Sequence, residues 1–275
     1  MADPTSLRLR TLLIEIINNT FDVAVVPMDK FHQFYVECHR KEGNKDGDYS
    51  VDIHRIRIYN LSREPQAILV SALHDVAHHL EAVYEGKTSH SAFFYQMYQQ
   101  LLCTAIGMRV LPKTILYELD GKTQEKLQKE VMYRYWEIPS IPYQEGLFTI
   151  EILRGYEQRD FLKENGYEYF PMEEIWRQTL SQDEVAEERT YLQESGITDQ
   201  SIQIWPANEW SMAAKYTLII RNAFDHKAYL QKIGYQYGAY DTGKRNWAKK
   251  IFANQLQEER EKLFGLLGIN LQIQK

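Results

Sequence analysis

Apolar residues recur at helical spacing early in the chain. Leu9, Leu12, Leu13, Ile16 and Ile17 share one face of residues 6–19, with Thr5 and Ser6 as capping residues. A short apolar run from Val23 to Val26 follows, and the segment from Pro27 to about Arg40 reads as a second helix. The stretch EGNKDGD is a loop by its Gly, Asn and Asp content. Between Tyr49 and Tyr59 apolar and polar residues alternate, which predicts a single half-buried strand. Pro65 opens a helix reaching about Tyr84, with Ile68, Leu69, Ala72, Leu73, Val76, Ala77 and Leu80 in one broad apolar stripe. After the loop EGKTSH, a further helix spans Ser91 to about Ala105 with Phe93, Phe94, Met97, Tyr98, Leu101 and Leu102 as its stripe. Residues 122–135 have helical character, and the Pro-containing EIPSIPYQEG then reads as a connection.

Beyond residue 147 the pattern occurs twice. FTIEILRGYEQRDFLKENGYEYF, from Phe148, aligns at constant offset with YTLIIRNAFDHKAYLQKIGYQYG, from Tyr216. Leu162, Gly166, Tyr167 and Tyr169 match Leu230, Gly234, Tyr235 and Tyr237. After a small insertion Trp176 matches Trp247, Glu187-Glu188-Arg189 matches Glu258-Glu259-Arg260, and Gly196-Ile197 matches Gly268-Ile269. Each copy reads as strand, helix, strand, short strand around the Trp, helix and final strand. The expected organisation is an N-terminal domain over 1–110, a helical linker over 111–147, and two small α/β modules at 148–205 and 214–275.

Composition narrows the function classes. With 275 residues, 44% hydrophobic and 25% charged, the chain is globular rather than collagen-like, disordered or coiled-coil. Its net charge of -6 argues against non-specific coating of nucleic acid and leaves room for a local basic patch. No stretch approaches the roughly 18 apolar residues of a membrane span, and the first residues lack the apolar core of a signal peptide. The expectation is a cytoplasmic protein without a membrane partner. Cys38 and Cys103 build neither a disulfide framework nor a zinc ribbon, so any metal must rest on histidines and carboxylates.

The helix after Pro65 carries such residues. His74 and His78, one turn apart, offer two imidazoles to one ion from the side opposite the apolar stripe. His90 is in line with the stripe of the next helix and reaches back if the two helices pack antiparallel. Three neutral histidines and an open position make a catalytic zinc site. Asp75 stands where the His-Glu-x-x-His motif has Glu, whose carboxylate takes a proton from the attacking water and passes it to the leaving amine. Asp is one methylene shorter. Glu81 shares the histidine face and reads as a solvated helix residue with an alternative role orienting or ligating; His79 reads as packing, and His54 as strand surface. Tyr95 and Tyr98 are candidates for stabilising an oxyanion, although Tyr98 falls in the apolar stripe.

Residues from about 50 to 106 resemble the SprT-like zinc metallopeptidase domain: an edge-like strand ending in Ile56-Arg57-Ile58-Tyr59-Asn60, the His74-Asp75-x-x-His78 motif, and His90 followed by Phe94. The resemblance implies an α+β fold with a zincin-like N-terminal domain, a small sheet plus an active-site helix hairpin, ahead of the two modules. It implies Zn2+ held by His74, His78 and His90, Asp75 in the general-base position, and a protein substrate, including proteins bound to DNA. The chain departs from the family in having Asp75 for Glu and no following zinc ribbon. The modules in turn resemble accessory units of phage and mobile-element enzymes.

Two other readings stand beside this one. A metal-stabilised binding protein would keep the histidines without the base function of Asp75. An HD-type metal-dependent phosphohydrolase would use His74 and Asp75 together as ligands, with His32 and Asp120 as the remaining candidates. In the second module, Lys244, Arg245, Trp247, Lys249 and Lys250 are candidate contacts to nucleic acid or a partner, because they interleave cations with an aromatic ring. The matching stretch of the first copy is acidic, so the shared Trp reads as core.

Overall fold

The computed structural model of the chain describes residues 3–40, 45–153, 155–171, 173–210, 215–240 and 245–274, apart from the side chains at 200, 209 and 210. Their fold is mixed, with helices and three small sheets. No helix among these residues is long and apolar enough to cross a membrane.

Helix α1 (Pro4–Thr20) starts with Pro at its first position, and the cap is Asp3 rather than Thr5 or Ser6: its carboxylate accepts from the backbone N–H of both. The Ser6 hydroxyl is spent elsewhere, accepting from the Cys38 N–H at 2.9 Å and tying α1 to the first strand. The helix expected from Pro27 to Arg40 shrinks to α2 (Met28–Phe31), followed by strand β1 (Tyr35–Cys38). β1 owes its extended form to a distant partner, since it pairs in parallel with residues 55–58. The single strand expected over Tyr49–Tyr59 is a hairpin, β2 (Gly47–Ser50) and β3 (Arg55–Ile58), folded at a short turn that ends on His54 in the left-handed region, φ 47°. The sheet order is β1-β3-β2, so the Ile56–Ile58 strand lies at the centre and β2 at the edge.

Helix α3 (Pro65–Glu85) and helix α4 (Ala92–Gly107) pack against each other as the apolar stripes require, and α3 also lies against β2 and β3. Gly86 closes α3 in the left-handed conformation, φ 70°, and Ser91 caps α4 by accepting from the Phe94 N–H. Helices α5 (Ile115–Glu118) and α6 (Gly121–Val131) follow. The segment expected as a linker contributes Leu111, Ile115, Leu116, Leu127, Tyr133 and Trp136 to the same core as α1, α3 and α4.

The remaining chain forms two four-stranded antiparallel sheets. The first contains β4 (Leu147–Leu153), α7 (Arg159–Glu164), β5 (Glu168–Phe170), β6 (Ile175–Ser181), α8 (Gln182–Glu194) and β7 (Ile202–Pro206), followed by the short helix α9 (Ala207–Trp210). The second contains β8 (Lys215–Arg221), α10 (Lys227–Lys232), β9 (Gln236–Tyr237), β10 (Trp247–Phe252), α11 (Leu256–Leu263) and β11 (Asn270–Gln274). Their orders are β5-β6-β4-β7 and β9-β10-β8-β11. Trp176 pairs with Ile152 and Tyr169 in one, and Trp247 with Ile220 and Tyr237 in the other.

Candidate metal centre

Helical spacing brings His74 and His78 to one side of α3, and the loop after Gly86 returns His90 to meet them. Ligand-capable atoms of the three lie within 4.8 Å of one another. His74 Nε2 and His90 Nε2 are 3.0 Å apart. Two nitrogens bound at about 2.05 Å to a tetrahedral zinc ion stand about 3.3 Å apart, close to this separation. His90 does not continue the α4 stripe, as the sequence suggests, but precedes its cap with a left-handed backbone, φ 53°. Phe94, fully buried, packs its ring on all three imidazoles at centroid distances of 5.1, 4.4 and 4.7 Å for His74, His78 and His90.

The outer nitrogens of two histidines are engaged by acceptors. His74 Nδ1 donates to Asp75 Oδ1 at 3.2 Å. His78 Nδ1 donates to the Thr88 hydroxyl, which donates to Glu81 Oε2 at 2.7 Å. Such contacts fix the tautomer and leave Nε2 with its lone pair bare, as a metal ligand requires. Burial, joined by the neighbouring His74, pushes His78 down to about 3, and burial lowers His90, so both favour the neutral, ligating form. The donor set could therefore hold a metal ion, with His74, His78 and His90 as the residues that would ligate it.

Asp75 is buried and turned to the Nδ1 side of His74, away from the Nε2 that meets His90. Its Oδ2 has no hydrogen-bond partner among the described residues and lies beside Gly47, where a Cβ would come within 2.5 Å. Desolvation raises the carboxyl above its ordinary value against the pull of His74. In this position the carboxylate orients a histidine.

The chain matches no protein-family model, no curated protein and no solved structure.

Other expected residues fall differently. Glu81 is not solvated: it has no exposed surface, and it accepts from the Thr88 and Ser91 hydroxyls and from the Ser89 and Ser91 N–H groups. Burial pushes this carboxyl up, but the four hydrogen bonds outweigh it and hold it below its usual range. The clue in the sequence is the Thr-Ser-His-Ser run that supplies those donors. His79 is buried, donating to the Lys30 carbonyl at 3.1 Å and accepting from the Tyr49 hydroxyl at 3.0 Å, and His54 meets that hydroxyl at 2.8 Å. Tyr98 is buried in the core, its ring 5.6 Å from that of His74.

Most of the described candidate contacts of the second module are engaged within the protein. Lys244 lies outside the described residues. Trp247 is only 7% exposed and packs on Tyr237, so it has no face for a base. Lys249 donates to Glu259 at 2.7 Å and to the Ile233 carbonyl, and Lys250 donates to the Glu173 carbonyl at 2.9 Å; Arg245 alone of the described set is exposed. His32 contacts Asn18 at 2.8 Å, Asp120 caps α6, and neither belongs to the cluster of His74, His78 and His90.

Proposed function

We propose that the chain is a metal-dependent hydrolase of the SprT-like zinc metallopeptidase type, with the ion held by His74, His78 and His90 and a peptide as substrate. The observation that carries this reading is the convergence of three imidazoles, two with Nδ1 engaged and Nε2 left to bind. The peptide class is supported by β2, an edge strand among the described residues that passes α3 at Asp75. The outer N–H and C=O groups of an edge strand are where an extended peptide pairs. Bound at the cluster, zinc supplies a Lewis acid that polarises a carbonyl and lowers the pKa of water. Around it Phe94 closes the apolar side, and Asp75 holds the His74 ring. We read the two C-terminal units as a duplication that recognises a partner or substrate.

The placement of Asp75 favours a second reading, a metal-stabilised binding protein without turnover. The purified chain should carry about one zinc, lost in His74→Ala and His90→Ala. Zinc-loaded protein should cleave an unfolded protein substrate, and chelation should stop it. Asp75→Asn should weaken zinc retention while keeping activity when zinc is in excess. Activity lost in Asp75→Asn at saturating zinc would restore Asp75 as the base, and no cleavage by the zinc-loaded parent would leave the binding reading. An HD-type centre would instead lose its metal with Asp75→Ala and keep it with His78→Ala.

A further inference from the structure

Glu81 is a carboxylate with no exposed surface, and among the described residues it has no arginine or lysine as an ion-pair partner, only His78 at 3.9 Å. Burying such a charge is costly unless several hydrogen bonds compensate it. Among the described residues its hydrogen bonds all come from one loop: the Thr88 hydroxyl at 2.7 Å, the Ser89 N–H at 2.8 Å, the Ser91 N–H at 3.2 Å and the Ser91 hydroxyl at 2.5 Å. That loop carries His90, which is exposed and holds a left-handed backbone that a non-glycine residue adopts only when its surroundings impose it. With both oxygens engaged by these donors, Glu81 does not serve as a fourth ligand.

We infer that Glu81 and Thr88 are positioning residues for the metal centre. Glu81 pins the loop so that His90 stays facing α3, and Thr88 passes the carboxylate's influence to His78. A hydroxyl carries one proton. Thr88 gives it to Glu81, so toward His78 it acts only as an acceptor, and His78 must present Nδ1–H to it and a bare Nε2 to the cluster. One buried carboxylate on α3 thus governs two of the three ligands, one through backbone position and the other through tautomer. The inference rests on the metal-centre reading above.

The test is zinc affinity of the full chain, measured by competition with a chromophoric chelator, and the visible absorption of the cobalt(II)-loaded protein. Thr88→Val and Glu81→Gln should each weaken zinc binding about 10- to 100-fold and alter the cobalt bands, whereas Thr88→Ser, which keeps the hydroxyl, should match the parent. Parent-like affinity and spectrum in Thr88→Val, or loss in Thr88→Ser equal to that in Thr88→Val, overturns the inference while the centre stands. If the parent itself takes up neither zinc nor cobalt, the metal-centre reading falls and this one with it. Should Glu81→Gln fail to fold, the Thr88 pair decides alone.

Discussion

The β4–β7 and β8–β11 units share a strand order and a Trp pairing register, yet they join the rest of the protein by different physics. The second unit shares one apolar core with the N-terminal half, through Tyr216, Leu218, Ile220, Leu230, Tyr235 and Trp247. The first has a core of its own, built on Ile150, Ile152, Leu162, Tyr167, Trp176 and Leu192. It meets its neighbours through ion pairs beside one aromatic contact: Arg8 pairs with Glu173, Lys215 of β8 pairs with Glu151, which is fully buried and also bonded by Arg177 at 3.1 Å, and the Trp205 ring lies 4.3 Å from that of Phe252. The sequences differ in the same sense, with thirteen Asp and Glu against five Lys and Arg over 148–205, and five against eleven over 214–275. A strand order therefore fixes a unit's internal packing and leaves its mode of attachment to the residues outside that packing.

The sharpest way to break this comparison is to hollow each core in turn. Leu162→Ala and Leu230→Ala remove equivalent, fully buried side chains, and each should cost about 2–5 kcal/mol. Leu230→Ala should lower the urea midpoint of the N-terminal half as well, while Leu162→Ala should leave that half unchanged; equal losses from both would erase the distinction.

A slightly smaller effect is expected at the charged contact. Glu151→Gln leaves Lys215 and Arg177 facing a neutral group and should cost on the order of 3 kcal/mol. Burial raises the Glu151 carboxyl, but Lys215 and Arg177 prevail and hold it below the ordinary range. A depressed carboxyl stabilises the fold above its unfolded value, about 4.3, and that contribution disappears as pH falls from there through the folded value. Urea midpoints between pH 3 and pH 7 should therefore drop in acid more for the parent than for Glu151→Gln, roughly within the titration range of a carboxylate; parallel curves would remove the ion pairs from the attachment.

The smallest effect compares two tyrosines. Tyr167 donates to Glu188 at 2.9 Å, whereas Tyr235 is 3.5 Å from Glu259, which already accepts from Lys249 and Lys262. Tyr167→Phe should cost about 1 kcal/mol and Tyr235→Phe less, as read from thermal midpoints.

Much of the helical frame and the pairing of His74 with His78 was legible because both depend on local spacing: the stripes of α3 and α4, Pro65 and the one-turn separation of the two histidines, whereas His90 is placed by the loop between the helices. What was misread depends on partners distant in sequence or on unusual backbone. β1 is a strand because β3 lies beside it, and the Tyr49–Tyr59 run folds back at His54, where no glycine or asparagine announces a left-handed turn. Asp75 was legible as a motif position, but its aim toward Nδ1 of His74 depends on side-chain geometry. Glu81 looked solvated because periodicity places it on the polar face and says nothing of a loop that folds over that face.

The backbone amides of Ser89 and Ser91 are bonded to a buried carboxylate although Ser89 and its neighbour His90 lie at the surface. In hydrogen-exchange terms the tip of this loop belongs with the helices it connects. Its amides should exchange only when Glu81 lets go, so that their exchange rate in metal-free protein should serve as a clock for how often His90 leaves its place.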